Sequence, residues 1–125
     1  MGKLLYGSST IEIEFDDRTL THLQIVIAAK LRRKESFFFS WKDDPAIGDG
    51  RSSIWLDSSI PLYFKFAGGR VPSINREWLD ILTASSNGSG GLQFTEEPGN
   101  GNGNGNNGSG NGNGHGGASG PATVR

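Results

Sequence analysis

The sequence contains no cysteine, which excludes a disulfide scaffold, a thiolate metal site and a cysteine nucleophile. It also lacks a long apolar run, since no stretch approaches the roughly 20 apolar residues that a membrane span needs. Residues 1–7 show no apolar core of a signal peptide. These absences predict a cytoplasmic protein with no membrane partner.

Groups for metal binding or acid–base chemistry are also few. The only histidines are His22 and His115, and neither has a second histidine within helical reach, so a metal site or a nucleophile–base pair has little to build on. The loop 42–50 carries three aspartates, which are oxygen ligands for Mg²⁺ or Ca²⁺. Their spacing differs from the EF-hand pattern, and Asp, Pro and Gly are common turn formers. We expect no catalytic residue, no cofactor and no metal ligand.

Neither sign of charge dominates, because the chain has 12 Lys and Arg against 13 Asp and Glu and a net charge of −1. A dedicated nucleic-acid binder is more often clearly basic, although a nearly neutral net charge is compatible with a local basic patch. The basic residues Lys30, Arg32, Arg33 and Lys34 end a predicted helix, where cations complement the helix dipole. Their alternative role is contact with nucleic-acid phosphates, and we expect any such binding to be weak.

The C-terminal part of the chain has a different composition from the rest. From Gly99 onward the sequence is almost entirely Gly and Asn, and it contains no Leu, Ile, Phe, Trp or Tyr. Such a segment buries too little apolar surface to offset the entropy of ordering it, about 1–2 kcal/mol per residue. The composition predicts a single domain over residues 1–97 and a disordered tail over residues 98–125.

The apolar pattern of residues 1–97 predicts both helices and strands. Residues 11–15 alternate apolar and acidic side chains, which indicates a half-buried strand. Asp17 is a candidate N-cap for a helix whose apolar residues recur at helical spacing over 20–31, and Ser73 is the candidate cap of a helix over 74–85. The other predicted strands are 3–6, 36–41, 51–57, 60–66 and 92–94. The order β-β-α-β-β-β-α-β predicts an α+β fold, a small and mostly antiparallel sheet of about five to six strands with two helices packed on it.

Aromatic residues are numerous for a small domain, with seven Phe, three Trp and two Tyr. Most such rings fill a core, but rings on a sheet also stack bases. The run 37–39 is all Phe, which is typical of a central strand covered on both faces. Trp55 and Tyr63 alternate with apolar neighbours, so part of each strand faces away from the first helix. Either Trp78 and Leu82 of the second helix cover that face, or it stays open to a protein partner or a second copy.

Several short segments carry a resemblance to a known family. They are LYGS at 5–8, DDRTL at 16–20, HLQ at 22–24, KLRR at 30–33, SFFFSW at 36–41, GRSSIWL at 50–56, IPL at 60–62 and NREW at 75–78. In combination they resemble a family of short actinobacterial proteins, a domain of unknown function whose members are often labelled ATP-dependent DNA ligase. The resemblance covers residues 1 to about 97 and implies a ligase-related function, but it implies no particular catalytic residue.

The ligase label is testable against the chemistry of adenylation. ATP-dependent ligases attach AMP to the lysine of a K-x-D-G motif, and the nearest match here is Lys42-Asp43-Asp44-Pro45. Proline in place of glycine removes a backbone donor and fixes φ. We therefore predict a non-catalytic interaction module with a protein or nucleic-acid partner, and the alternative is a ligase-related protein or ligase accessory domain.

Overall fold

The computed structural model of the chain describes residues 1–8, 11–99 and 123–124. Its strands are β1 (Gly2–Tyr6), β2 (Ile11–Phe15), β3 (Phe37–Lys42), β4 (Arg51–Leu56), β5 (Leu62–Lys65), β6 (Leu92–Gln93) and β7 (Thr123–Val124). Its helices are α1 (Asp17–Arg32) and α2 (Arg76–Ser86), and a 3-10 turn spans Pro45–Ile47. The predicted α+β class and the predicted order of elements up to β6 are confirmed. Residues 100–122 and 125 of the predicted tail lie outside the described residues.

The strands form two sheets rather than the single sheet that the sequence predicted. One has the order β5-β1-β2-β7, and the other has the order β4-β3-β6. All pairs are antiparallel except β3 with β6, which is parallel. Along the chain, α1 lies between β2 and β3. The strand β3 then pairs with its hairpin partner β4 and with β6, which follows α2, while β5 returns to β1.

The buried faces of the two sheets meet in an aromatic cluster. The ring of Phe15 on β2 lies 6.0 Å from that of Phe39, 6.5 Å from that of Trp41 and 5.9 Å from that of Phe94, measured between centroids. Phe15, Phe39 and Trp41 are all buried. Offset and edge-on contacts of this kind add stabilisation beyond area burial, so this cluster joins the two sheets into one core.

Two adjacent aspartates stabilise the start of α1, and the residue that caps the helix is not the one that the sequence predicted. Asp16, not Asp17, is the N-cap, because its carboxylate accepts hydrogen bonds from the backbone N–H of Thr19 at 3.2 Å and from its hydroxyl at 2.7 Å. The carboxylate of Asp17 accepts from the backbone N–H groups of Ala67 (2.9 Å) and Gly68 (2.8 Å). These bonds, the one from Ala67 first, lower the pKa of Asp17 and tie the loop after β5 to α1.

The second helix begins later than predicted. Asn75, not Ser73, caps it, with its side-chain oxygen accepting from the backbone N–H of Trp78 at 3.2 Å. Trp78 is fully buried, its indole N–H donates to the carbonyl of Thr95 at 3.0 Å, and its ring lies 4.6 Å from that of His22 on α1. The helix therefore packs on the same side as α1, against α1 and β6.

A polar network closes the core between the two helices. His22 is fully buried, and its Nε2 accepts the backbone N–H of Asn75 at 2.8 Å. The ring proton therefore sits on Nδ1, which donates to the carbonyl of Arg18 at 2.7 Å. Burial lowers the pKa of His22. Arg18 in turn makes two bonds to the carboxylate of Glu97, at 2.8 and 2.6 Å, which fastens the end of residues 92–97 to α1.

Candidate binding surface

The outer face of the β4-β3-β6 sheet carries an ordered set of side chains. Strand alternation turns Phe37, Phe39 and Trp41 of β3 into the core, so their neighbours in the strand point outward. The antiparallel register pairs the outward residues as Phe38 with Trp55, Ser40 with Ser53, and Lys42 with Arg51. An aromatic pair, a hydroxyl pair and a cationic pair thus follow one another along the strands. We refer to these residues together as the outer ladder.

The aromatic end of the outer ladder is open to solvent. Phe38 is 50% exposed and Trp55 is 44% exposed, and their ring centroids lie 5.0 Å apart at an interplanar angle of 70°. The hydroxyl of Tyr6 donates to the carbonyl of Trp55 at 2.6 Å, so β4 is also held to β1. The prediction that β3 is central is correct for its sheet. The prediction that both of its faces are covered is wrong, because the outward Phe38 is half exposed while Phe37, Phe39 and Trp41 on the other face are buried.

The other end of the outer ladder carries positive charge. The hydroxyls of Ser40 and Ser53 lie 2.6 Å apart, and beyond them Lys42 and Arg51 are both exposed. Within residues 1–8 and 11–99, neither cation takes part in an ion pair. The neighbouring carboxylate of Asp43 accepts instead from the hydroxyl of Ser52, at 2.8 Å, and alternation places Ser52 on the opposite face of β4. The charges of Lys42 and Arg51 are therefore available to pair with an anionic ligand.

A groove of about 610 Å³ runs along this face. Ser40, Ser53 and the two cations line one side, and Gly90, Gln93 and Phe94 line the other. Next to the groove, the segment after α2 contacts β3 at Gly91, whose φ is +79° and whose Cβ, if present, would lie 2.4 Å from the carbonyl oxygen of Phe38. Only glycine lets the segment after α2 approach β3 this closely.

The structure places the predicted basic residues at the end of α1 in two different environments. Lys30 is buried, with its ammonium 2.7 Å from a carboxylate oxygen of Glu35 and 3.1 Å from the side-chain oxygen of Asn87. Arg33 lies 3.0 Å from the other oxygen of Glu35. The hydrogen bonds from Arg33 and Lys30 lower the pKa of Glu35 to about 2. Two of the four predicted cations are therefore paired, while Arg32 and Lys34 have no ion pair in the described part of the chain.

The two predicted partner residues are both exposed, but they belong to different sheets. Trp55 lies in the outer ladder, whereas Tyr63, which is 58% exposed, lies on β5 opposite Leu5 of β1. Trp78 and Leu82 of α2 are fully buried in the core. Of the two arrangements that the sequence left open, the one in which α2 covers the aromatic face is wrong, and the one in which that face stays open is correct.

The loop 42–50 uses its aspartates for local structure. The side chain of Asp44 caps the 3-10 turn by accepting from the backbone N–H of Ala46 at 2.9 Å, and Pro45 is the first residue of that turn. Among the residues that the structure describes, no group of three or more His, Asp or Glu is arranged to hold a metal ion. In the same residues, no helix is both long and apolar enough to cross a membrane.

Sequence reasoning missed four residues of the outer ladder, namely Ser40, Ser53, Lys42 and Arg51. Their signal is the matching alternation of the two strands, aromatic-x-Ser-x-cation in β3 and the reverse order in β4. That signal becomes readable only when the hairpin register is known.

Comparison with known proteins identifies one relationship. The model of a family described as "Domain of unknown function (DUF7882)" matches residues 1–97. Comparisons with curated proteins and with solved structures found no match.

Proposed function

The chain belongs to the DUF7882 family, whose function is unknown, and we propose from its own geometry that the protein is a non-catalytic interaction module. Its binding surface is the outer ladder together with the groove beside it. The observation that carries this proposal is the open aromatic pair Phe38 and Trp55, 5.0 Å apart on two paired strands.

Rigid exposed rings favour binding for two physical reasons. Covering a half-exposed aromatic ring removes apolar surface from water at about 25 cal/mol per Å². Because the rings of Phe38 and Trp55 stand on strands rather than on a loop, little conformational entropy is lost when a partner covers them. Tryptophan is also one of the residues that most often dominate binding energy.

The polar part of the surface supports binding rather than chemistry. Its two hydroxyls, on Ser40 and Ser53, are hydrogen-bonded to each other. The outer ladder has no carboxylate or imidazole to take a proton from either hydroxyl. Lys42 would be the nucleophile of the ligase-related alternative, but it is the exposed last residue of β3. Pro45 starts a 3-10 turn at the position where the ligase motif needs glycine.

A site-specific photo-crosslinking experiment tests the proposal. A photoreactive amino acid replaces Gln93, which is exposed on the far side of the groove, and a control chain carries the same group at Lys65 on β5. After irradiation in cells, we expect an adduct from position 93 that is much stronger than any adduct from position 65. Trp55→Ala should abolish it, while Tyr63→Ala should leave it unchanged. Equal adducts at both positions, or an adduct indifferent to Trp55→Ala, would refute the proposed binding surface.

A further inference from the structure

We infer that the ligand of the outer ladder is a single-stranded nucleic acid, with bases stacked on Trp55 and Phe38 and phosphates held by Lys42 and Arg51. The inference rests on the binding function proposed above and adds the chemical class of the partner. It is carried by the order of groups along the strands, which alternates flat apolar surface with positive charge.

The aromatic pair offers a stacking surface. Because the two rings meet at 70°, the edge of one contacts the face of the other, and each keeps an exposed part. Every base has a flat π-face, so stacking on such rings accommodates any sequence. Sheets that bind single strands use exposed rings on central strands to stack about two or three bases, and Phe38 lies on the central strand of its sheet.

The cationic pair lies at a distance that suits the phosphate backbone of the same strand. Lys42 follows Phe38 by four positions in β3, which at about 3.3 Å per residue separates their Cα atoms by about 13 Å. Arg51 offers a planar fork of donors that matches a phosphate, and Lys42 adds a point charge. Neither is neutralised by an acid within the described residues.

The groups between the two ends suit the sugar and the base edges. The hydroxyls of Ser40 and Ser53 can both donate and accept, and Gln93, which is in register with Ser40 across the parallel pair, offers an amide with both functions. A duplex hides the faces of its bases inside the stack, so it cannot use the aromatic pair. The geometry therefore favours a single strand over a double helix.

Two other occupants, an apolar peptide and a second copy of the chain, fit the charge of this face less well. An apolar peptide that covered the groove would desolvate Lys42 and Arg51 without pairing them, which is costly. Two copies of the chain docked through this face would bring like charges together, because each copy contributes the same two cations and no acid from the outer ladder.

The test uses the full chain, fluorescently labelled homopolymeric DNA and RNA single strands, and a duplex of the same length, with affinity measured by fluorescence anisotropy. We expect the single strands to bind more tightly than the duplex. Trp55→Ala should weaken single-strand binding by about 5- to 100-fold, the effect of losing one stacked base. Trp55→Phe should restore most of it, and Tyr63→Ala, the matched exposed aromatic on the other sheet, should change the affinity by less than about 2-fold.

Salt dependence identifies the phosphate contacts. Two phosphates on a single strand predict a slope of log affinity against log salt of about −1.4, since each contributes about −0.7. Arg51→Gln should reduce the slope to about −0.7, whereas Lys65→Gln should leave it unchanged. If the slope responds instead to Arg32→Gln combined with Lys34→Gln, and not to Arg51→Gln, the nucleic acid binds at the end of α1 and the inference is wrong.

Two outcomes separate this inference from the proposed function. A Trp55-dependent adduct at position 93 that resists nuclease, together with no binding of single strands, would leave the interaction module intact and overturn the nucleic-acid ligand. Absence of both the adduct and the binding would overturn both. Duplex binding as tight as single-strand binding would also overturn the stacking argument. Circular dichroism of each variant confirms that the fold is retained.

Discussion

The buried imidazole of His22 predicts a specific dependence of stability on pH. In the folded protein the ring is neutral, because Nε2 accepts the backbone N–H of Asn75 and burial lowers the pKa of the ring. In the unfolded chain it titrates near 6.5. The unfolded state therefore binds more protons below pH 6.5, and folding stability is lost as the pH falls from that value towards the lowered pKa of the folded state.

The magnitude is bounded by the unfolded pKa. At pH 5.5, one unit below 6.5, a ring that stays neutral in the folded state costs at most about 1.4 kcal/mol relative to neutral pH. The carboxylates with lowered pKa, among them Glu97 and Asp17, have ordinary values of 4.5 and 3.8. Their contribution to stability is lost mainly below about pH 5, so the window between pH 5.5 and 7.5 isolates the histidine.

The perturbation is His22→Phe, which keeps a ring against Trp78 but removes the acceptor. The backbone N–H of Asn75 is then left without its partner, at a cost of about 1–3 kcal/mol at pH 7.5. Urea unfolding followed by tryptophan fluorescence measures both effects, and we expect wild-type stability to fall between pH 7.5 and 5.5 while that of the variant stays level. Parallel pH profiles for the two proteins would refute the assignment of a neutral, hydrogen-bonded His22.

Three further predictions concern the groove, the ligase-related alternative and the C-terminal residues. Gly91→Ala should destabilise the fold by more than about 1–2 kcal/mol, which is the cost of a left-handed residue alone. The cost is larger because the added Cβ also meets the carbonyl of Phe38. Gly69→Ala, whose added Cβ meets nothing within 4 Å, is the control in the same urea assay. Incubation with labelled ATP and Mg²⁺ should leave no covalent label on the denatured protein, and label that is lost in Lys42→Ala would restore the ligase-related alternative. A chain ending at residue 98 should melt within about 2 °C of the full chain, since β7 pairs only two residues with β2, and a clearly larger drop in a calorimetric scan would show that residues 99–125 stabilise the domain.

The local pattern of apolar and polar residues predicted the helices and strands well. Details such as the N-cap of α1 were missed because they depend on tertiary contacts. The alternation of β2 correctly placed Ile13 and Phe15 in the core, but Ile11 is 36% exposed because it begins the strand. Asp16 and Asp17 both have the chemistry of an N-cap. Which of them caps α1 depends on the approach of a distant loop to Asp17, and local sequence carries no information about that approach.

The candidate site was harder to predict than the fold, because it depends on register. Short two-residue hairpin loops fix the pairing of their strands, but the connection 43–50 is too long to do so. The sequence therefore named Trp55 as a possible partner residue but left its exposure open, and it did not predict the pairing of Lys42 with Arg51. The prediction centred on the cations of α1 considered the helix dipole and the overall charge but not Glu35, which pairs with two of those cations.

The parallel pairing of β3 with β6 has a consequence for the folding of the protein. The hairpin of β3 and β4 joins residues close in sequence, whereas Leu92 pairs with Phe39 across a much longer loop. Closing such a loop costs chain entropy before any contact is gained, and non-local pairing slows folding. We therefore expect the second wall of the groove, which includes Gln93, to be among the last parts of the sheet to assemble. On this expectation, a partly folded chain with the β3–β4 hairpin has the aromatic pair but no groove, and only the completed fold offers both walls to a ligand.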